Sequence, residues 1–403
     1  MNDSIIQAKD FKRAALKDNQ QIKNTVAEIL NDIRHNGDEA VDQWSQKIDG
    51  KKGELITLKA FADYKLKPEL SQAIKIAHKR IKIFSEFQVK DLKNDAFSDD
   101  FGDFGYIYQP IERVGAYIPG GRYPLISTSL MAITPAKVAG CADIIACSPS
   151  DHPALLAAAS LAGATQFLHL GGAQAIGALS YGFGKINAVN IIVGPGNAYV
   201  NEAKAQVQHR TKIDTLAGPS ELLIYAETLK NPDWIMYDAL AQAEHDPNAI
   251  SLVVSTSKQV LENLYTRTND HIAGNKLIKN QQIVFIHASN QNQAIDLIND
   301  YAPEHLLVTD INSDMSLFNN YGSLFIGENS AVAFDDYCAG PNHTLPTNGA
   351  AKNSGGLSVH QFLKVLSTQQ VNDKGRVKLA KTSSILAKAE GLVFHQKSAD
   401  IRK

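Results

Sequence analysis

Cysteine is scarce in this chain of 403 residues, with Cys141, Cys147 and Cys338 its full complement. An odd, sparse set without C-x-x-C spacing argues against a disulfide framework or a thiolate zinc site, and fits a reducing cytoplasm. Long apolar runs are missing as well. No stretch of about 18 apolar residues occurs, so no transmembrane helix is expected. Nor does charge of one sign dominate. The formal net charge is −2, which leaves no electrostatic case for nucleic acid or a membrane surface. The amino terminus, Met1-Asn2-Asp3-Ser4, has neither the basic n-region nor the apolar h-region of a secretory signal. What remains is a hydrophobic fraction of 44% and a charged fraction of 20%, the balance of a globular protein long enough for two or three domains.

Residues up to about 95 read as helical and charged. Val26, Ile29, Leu30 and Ile33 set an amphipathic period that stops at Asn36-Gly37, a C-cap signal. A second helix is expected from Pro68 to about Phe87, with Ile74, Ile76, Ala77, Ile81 and Phe84 on its apolar face. Both read as packing surface without chemistry. From Arg113 short apolar runs alternate with helical patterns: Val114–Ile118, Ile144–Cys147, Phe167–Leu170 and Val189–Val193. A second series follows at Leu222–Tyr225, Ile250–Val254, Ile283–His287 and Leu306–Val308. Such alternation marks parallel sheets covered by helices on both faces. From about Leu357 the chain reads as polar and helical.

Three glycine turns follow apolar runs: Pro119-Gly120-Gly121, Gly171-Gly172-Ala173-Gln174 and Gly194-Pro195-Gly196-Asn197. The third opens a helix, where backbone amides favour anions. Yet Tyr199 stands where the dinucleotide fingerprint requires a third glycine, and no acidic residue ends a following strand about 20 positions on. These turns suggest a ligand crevice without naming its ligand.

Two further stretches carry chemistry. Ala302-Pro303-Glu304-His305 places a carboxylate beside an imidazole at a loop-to-strand entry. Such a pair offers two proton acceptors of different basicity, suited to a reaction with two proton transfers. Taken alone, an adjacent Glu-His is more often a solvated loop. Asn231-Pro232 starts a helix that carries Asp238, Gln242 and His245 on one face. An amide oxygen and an imidazole together suit a borderline metal such as Zn²⁺, Mn²⁺ or Co²⁺, with Asp336 and His395 as further ligand candidates.

At this point the chain resembles the histidinol dehydrogenase family along essentially its whole length. The blocks that carry the resemblance are Val114-Gly-Ala-Tyr-Ile-Pro-Gly-Gly121, Gly171-Gly-Ala-Gln-Ala-Ile176, Gly194-Pro-Gly-Asn197 and Ala217-Gly-Pro-Ser-Glu221. Gln242-Ala-Glu-His245, Ala302-Pro-Glu-His-Leu306, Asp336-Tyr-Cys-Ala-Gly-Pro-Asn-His343 with Leu345-Pro-Thr347, and Ala389-Glu-Gly-Leu392 before His395 complete the series.

The resemblance implies a zinc-dependent, NAD-linked enzyme that oxidises L-histidinol to L-histidine through the aldehyde, with one zinc per subunit. By position it implies Gln242, His245, Asp336 and His395 as metal ligands, and Glu304 with His305 as the acid/base pair. It implies a substrate site of Ser220, Gln242, His245, His305, Asp336, Glu390 and His395, and NAD contacts at Tyr117, Gln174 and Asn197. It also implies a homodimer, with the cytoplasm expected from the sparse cysteines, and the small segment after Leu357 is expected to complete the partner's site. Asp335 departs from the family, whose members usually carry glycine before the ligand aspartate. His343 is read as structural, and Cys338 as packing.

The expected fold is α/β, with two Rossmann-like parallel-sheet domains. Residues 21–108 with 225–356 would form the first domain, holding metal and catalytic residues, and 109–224 the second, on the NAD side. A helical segment over 1–20 and a helical tail over 357–403 would flank them. Two alternatives remain: a related dehydrogenase of another small polar alcohol, and a metal- and nucleotide-binding sensor without turnover.

Overall fold

The computed structural model describes residues 5–13, 19–120 and 124–403. Residues 1–4 and 14–18 of the helical segment expected over 1–20, and Gly121 of the first glycine turn, lie outside the described residues.

In chain order, strand β1 (Ile5–Gln7) precedes helices α1 (Gln20–Asn36) and α2 (Asp38–Asp49), strand β2 (Glu54–Ile56) and helix α3 (Pro68–Val89). Strands β3 (Asp95–Asp99), β4 (Gly102–Pro110) and β5 (Arg113–Tyr117) follow. Next come α4 (Ile126–Ala139), β6 (Asp143–Ser148), α5 (Pro153–Ala162), β7 (Gln166–His169), α6 (Gly172–Tyr181), β8 (Ile191–Val193), α7 (Ala198–Val207) and β9 (Lys212–Ile213). The second series comprises β10 (Glu221–Tyr225), α8 (Pro232–Glu244), β11 (Ile250–Ser255), α9 (Lys258–Asp270), α10 (Ile272–Lys279), β12 (Ile283–His287), α11 (Gln291–Tyr301), β13 (His305–Val308) and β14 (Ser323–Ile326). Helix α12 (Val332–Tyr337), strand β15 (Leu363–Val371) and helices α13 (Asp373–Ala389) and α14 (Val393–Asp400) end the chain.

Two six-stranded sheets result, with the orders β2-β7-β6-β5-β8-β9 and β1-β12-β11-β10-β13-β14. We call them the N-half and C-half sheets. Their central strands follow one plan: three strands laid down in one direction, then a return to the other side of the first. Every pairing is parallel except β2 on β7. Parallel strands need crossover connections, and the helices that supply them bury both sheet faces. The strands are accordingly near-continuous apolar runs, such as Ile144 and Ile145 or Leu222, Leu223 and Ile224, all without exposure.

The fold class agrees with expectation, but the packing of three segments differs from it. Helices α1, α2 and α3 and strand β2 pack on the N-half sheet, and of residues 225–356 α3 meets the loop at Ala339 and Gly340. Val26, Ile29, Leu30 and Ile33 meet Ile145, Leu168 and Ile192 on one face, while Ile74, Ala77 and Ile81 meet Val114, Ile144 and α4 on the other. The apolar period announces a buried face; it does not say against which sheet. The described part of residues 1–20 holds β1, which pairs with β12 as an edge strand of the C-half sheet. Finally, the segment after Leu357 is not only helical. Leu357, Val359 and Phe362 are buried in the core beside α3 and α4. Strand β15 then pairs along its whole length with β4, and β4 with β3, as an antiparallel sheet. With α13 and α14 these strands form an arm in which Phe97, Val365, Ile385 and Phe394 are exposed. No described helix is long and apolar enough to cross a membrane.

Candidate active site

Helix α11 ends because Pro303 disfavours the right-handed helical conformation at Ala302. Ala302 takes a left-handed conformation instead, with φ of 49°, and Glu304 and His305 enter β13 buried at 6% and 3% exposure. The start of β10 lies alongside. The backbone N–H of Glu221 donates to Glu304 Oε2 at 2.8 Å, and His305 Nδ1 lies 3.1 Å from the carbonyl oxygen of Glu221. A carbonyl can only accept, so in the neutral ring Nδ1 carries the hydrogen and Nε2 keeps its lone pair. His305 Nε2 is buried and has no partner among the described residues. Burial alone would lower the pKa of His305. The Glu304 carboxylate, 3.5 Å from Nδ1, together with Asp336 and Asp335 pushes it up to about 9.

The second cluster grows from α8. Asn231 does not cap this helix through its side chain; its amide donates to Glu328 instead. Asp238 and Gln242 face inward and are buried, and His245 forms the C-cap. Burial pushes Asp238 up to about 6, while the backbone of Val332 hydrogen-bonds to its carboxylate. That contact fastens α12, which carries Asp335 and Asp336, onto α8. His245 Nε2 then lies 3.7 Å from Asp336 Oδ2. This contact raises the pKa of His245 against the pull of burial. Burial would raise Asp336, but His245, His305 and His343 hold it below the ordinary carboxylate range.

His343, expected to be structural, links the two halves of the molecule. Its Nδ1 lies 2.9 Å from the Asp336 carbonyl oxygen and its Nε2 3.3 Å from Thr128 Oγ1 on α4. Asp335 is 1% exposed, with Oδ2 unpartnered, and burial pushes it up to about 6. Sequence reasoning flagged it only as a departure. The structure makes it a buried carboxylate beside the half-buried Asp336.

Glu304, His305, His245 and Asp336 therefore share one electrostatic neighbourhood, with Gln242 one turn from His245 on α8. The side-chain Nε2 of Gln242 is buried without a partner. Ser220 precedes β10, its carbonyl oxygen accepting from the Ile250 N–H at 3.0 Å. Glu390 and His395 are elsewhere. Both are exposed on the arm, and the hydrogen bonds and ion pairs of residues 373–403 stay within it among the described residues. Accordingly, no group of three or more His, Cys, Asp or Glu side chains is assembled for a metal within the described residues of one chain.

The N-half sheet presents a different edge. Its strand order reverses beside β5, and at such a switch point doubly wound sheets bind ligands outside the carboxyl ends of the strands, here β5 and β8. Tyr117 ends β5, Gln174 lies in the first turn of α6 and Asn197 caps α7, so all three expected cofactor residues flank this edge. Two are engaged structurally: the Tyr117 hydroxyl accepts from the Gly172 N–H, and Asn197 Oδ1 accepts from the Tyr199 and Val200 N–H groups. Gln174 donates to Asp49 at 2.8 Å and leaves its buried Oε1 unpartnered. Gly194 has a φ of 107°, and a Cβ there would sit 2.0 Å from the Tyr117 carbonyl oxygen, so only glycine fits. A fully buried lysine that motif reading missed holds this loop together with Asp214, an acidic residue just past β9 and 20 positions after Gly194, where the sequence reading had found none. Lys204 Nζ donates to Gly194 O at 2.9 Å and to Asp214 Oδ1 at 2.5 Å, and Asp214 Oδ2 accepts the Gly194 N–H at 2.7 Å. Cys141 and Cys147 are buried, and burial pushes the thiol of Cys141 up to about 12.

A buried carboxylate–imidazole pair on one doubly wound sheet and a strand-order switch point on another mark an α/β enzyme. The family model for histidinol dehydrogenase matches residues 12–403, and the chain belongs to that family. It is 38% identical to a histidinol dehydrogenase of Thermus thermophilus over 98% of this chain and 97% of the relative. The crystal structure of histidinol dehydrogenase from Elizabethkingia anophelis superposes with a TM-score of 0.89 at 31% identity, covering 98% of this chain and 95% of that one. A succinate-semialdehyde dehydrogenase of Burkholderia pseudomallei, 12% identical with a TM-score of 0.50 over 89% of this chain and 86% of its own, shares the fold alone.

Proposed function

We propose that this enzyme oxidises L-histidinol to L-histidine through L-histidinal in two NAD-linked steps that end histidine biosynthesis, and that it works in the cytoplasm. Beside family membership, the observation that carries the reading is the buried, unpartnered Nε2 of His305 next to the carboxylate of Glu304. His305 takes the hydroxyl proton as hydride leaves the alcohol carbon. Glu304, aimed by the Glu221 N–H, activates water for addition to the aldehyde. Burial of both groups keeps the aldehyde away from bulk water between the steps.

The donor set fits a zinc ion. Gln242, His245 and Asp336 combine an amide oxygen, an imidazole and a carboxylate, and His245 and Asp336 already lie within 3.7 Å of each other. Gln242, His245 and Asp336 would hold the metal with His395 of a second copy, and the ion would supply a fixed anchor for nitrogen groups of the substrate. Ser220 and Glu390 would complete the substrate site. NAD, as hydride acceptor, would lie along the crevice flanked by Tyr117, Gln174 and Asn197. Exposed aromatic side chains support a homodimer: Trp234, Tyr237, Phe334 and Tyr337 surround the α8–α12 face beside His245 and Asp336. The arm displays Phe394 next to His395 at 87% exposure. Covering both surfaces with each other removes apolar area from water and brings the fourth ligand to the site.

The deciding experiment follows NADH absorbance after adding L-histidinol to the zinc-loaded protein. Two NADH per histidinol are expected. Binding of zinc and NAD without any NADH would leave only a sensor.

A further inference from the structure

Glu221 touches the reacting pair with its backbone and the amino-terminal segment with its side chain. Its N–H donates to Glu304 Oε2 at 2.8 Å and its carbonyl oxygen accepts from His305 Nδ1 at 3.1 Å. One peptide residue thereby aims the carboxylate and selects the ring nitrogen left free. Its own carboxylate is buried, with a side-chain exposure of 5%, and ion-paired to Arg13. The same carboxylate accepts the Asn348 N–H at 3.3 Å and a hydrogen bond with the Tyr301 hydroxyl.

Arg13 grips the opposite wall too. A second guanidinium nitrogen donates to the Tyr301 carbonyl oxygen, and the guanidinium lies 3.6 Å over the Tyr301 ring. Tyr301 is the last residue of α11, three positions before Glu304. One planar fork thus spans the two elements between which Glu304 and His305 are held, the start of β10 and the end of α11. Phe11 packs on the same tyrosine, with ring centroids 6.0 Å apart. Upstream, β1 anchors the segment to the edge of the same sheet.

Resting on the function proposed above, we propose that Arg13 and Glu221 are positioning residues for the Glu304–His305 pair. Arg13 clamps the Glu221 side chain, Glu221 fixes the carboxylate direction and the imidazole tautomer, and neither touches substrate. Lysine can supply the charge but not the bidentate, stacked geometry.

Arg13→Met keeps the apolar stem and removes the fork. It should lower kcat for histidinol by about 10²-fold, the cost of an ångström-scale misplacement, with KM for histidinol and NAD within about threefold. Arg13→Lys should recover part of kcat. Because both residues act through one network, Arg13→Met with Glu221→Gln should lose no more than the worse single variant. An unchanged kcat in Arg13→Met, a loss confined to KM, no recovery with lysine, or multiplied losses in the double variant would each overturn the proposal. Should the wild-type chain itself make no NADH from histidinol, the functional reading fails instead. A crystal structure of Arg13→Met then decides the positioning claim. Glu304 displaced from the Glu221 N–H supports it, and an unmoved pair defeats it.

Discussion

The two parallel sheets follow one winding plan, and the residues expected of the site gather at opposite edges of them. In the N-half sheet the expected cofactor residues flank the carboxyl ends of β5 and β8, where the strand order reverses. The C-half sheet reverses order in the same way beside β10, yet Ser220, Glu221, Glu304 and His305 gather at the amino ends of β10 and β13. Its carboxyl edge is laced shut by its own polar groups: the Thr309 N–H and hydroxyl both reach Tyr225 O, and Thr256 bonds to Glu227. The chain explains the choice. It leaves β9 through residues 214–220, and Asn201 on α7 binds both Gly196 O and Ala217 O, which stitches the glycine loop to the approach to β10. The winding of a sheet alone does not choose the edge at which these polar groups gather; side chains and connections do.

Four experiments and a pH profile test this division of labour, and the largest effect concerns the region outside both sheets. His245→Ala and His395→Ala should each abolish zinc retention and turnover while the fold survives. Equal mixing with subunit exchange should then restore about a quarter of wild-type activity, since half the dimers are hybrids with one intact site in two. No recovery after verified exchange would place the arm in its own chain's site.

Within the C-half sheet, His305→Asn should slow alcohol oxidation by roughly 10²–10⁴-fold, with supplied histidinal less affected. Glu304→Gln should do the reverse, sparing histidinol-to-histidinal conversion relative to aldehyde oxidation. Rates of NADH formation from each substrate separate the two. Equal factors for Glu304→Gln would end the assignment of the water-activating role.

Lys204→Met probes the other sheet. It leaves Asp214 buried and unpaired, which costs roughly 3–5 kcal/mol, and frees the Gly194 loop. A lower unfolding midpoint with a raised KM for NAD is expected, while the ratio of histidinol to histidinal rates stays put. A changed ratio would mean that the sheets do not divide the work.

Asp335→Asn should show a smaller effect, on the order of 1–3 kcal/mol, in the zinc-free protein. The folded chain holds a proton on Asp335 up to about pH 6, above its ordinary carboxylate value. Ionisation therefore disfavours the fold as pH rises past 4, and the variant should gain stability over wild type above pH 6. Chemical denaturation at pH 4 and pH 7.5 reads that gap, which should close at the lower pH. The mildest test is the pH profile. A base with a pKa raised to about 9 is mostly protonated at pH 7, so kcat/KM should rise about tenfold per unit from pH 6.5 and level near 9. A flat profile across that range would exclude His305 as the base.

Much of the fold was legible beforehand, for physical reasons that particular elements make plain. The start of α3 at Pro68 and the end of α1 at Gly37 are local backbone effects, and both fell where residue chemistry put them. The buried strands announced themselves as apolar runs. The short pairings did not. Strand β1 has three residues and β2 three, and both exist because a neighbouring edge offers hydrogen bonds. Strand β15 was read as helical, since its exposed, polar residues carry no buried alternation and only pairing with β4 makes it a strand. Of the site, Glu304, His305, His245 and Asp336 were legible from residue type and resemblance. Arg13 and Lys204 were not, because their partners lie 208 and 10 positions away and a lone basic residue resembles any surface charge.

By itself the sequence determined the α/β class, the order of the main elements, the chemical groups available and membership of a family. Those follow from local backbone preference, periodic burial and the identity of side chains. Only the tertiary structure decided which sheet α1, α2 and α3 cover, which nitrogen of His305 is free, and that Arg13 reaches Glu304 and His305 through Glu221. It also separated His395 from His245 and Asp336 by placing them on different bodies of one chain. Such outcomes depend on distances between residues far apart along the chain, and an amphipathic period or a motif carries no record of them.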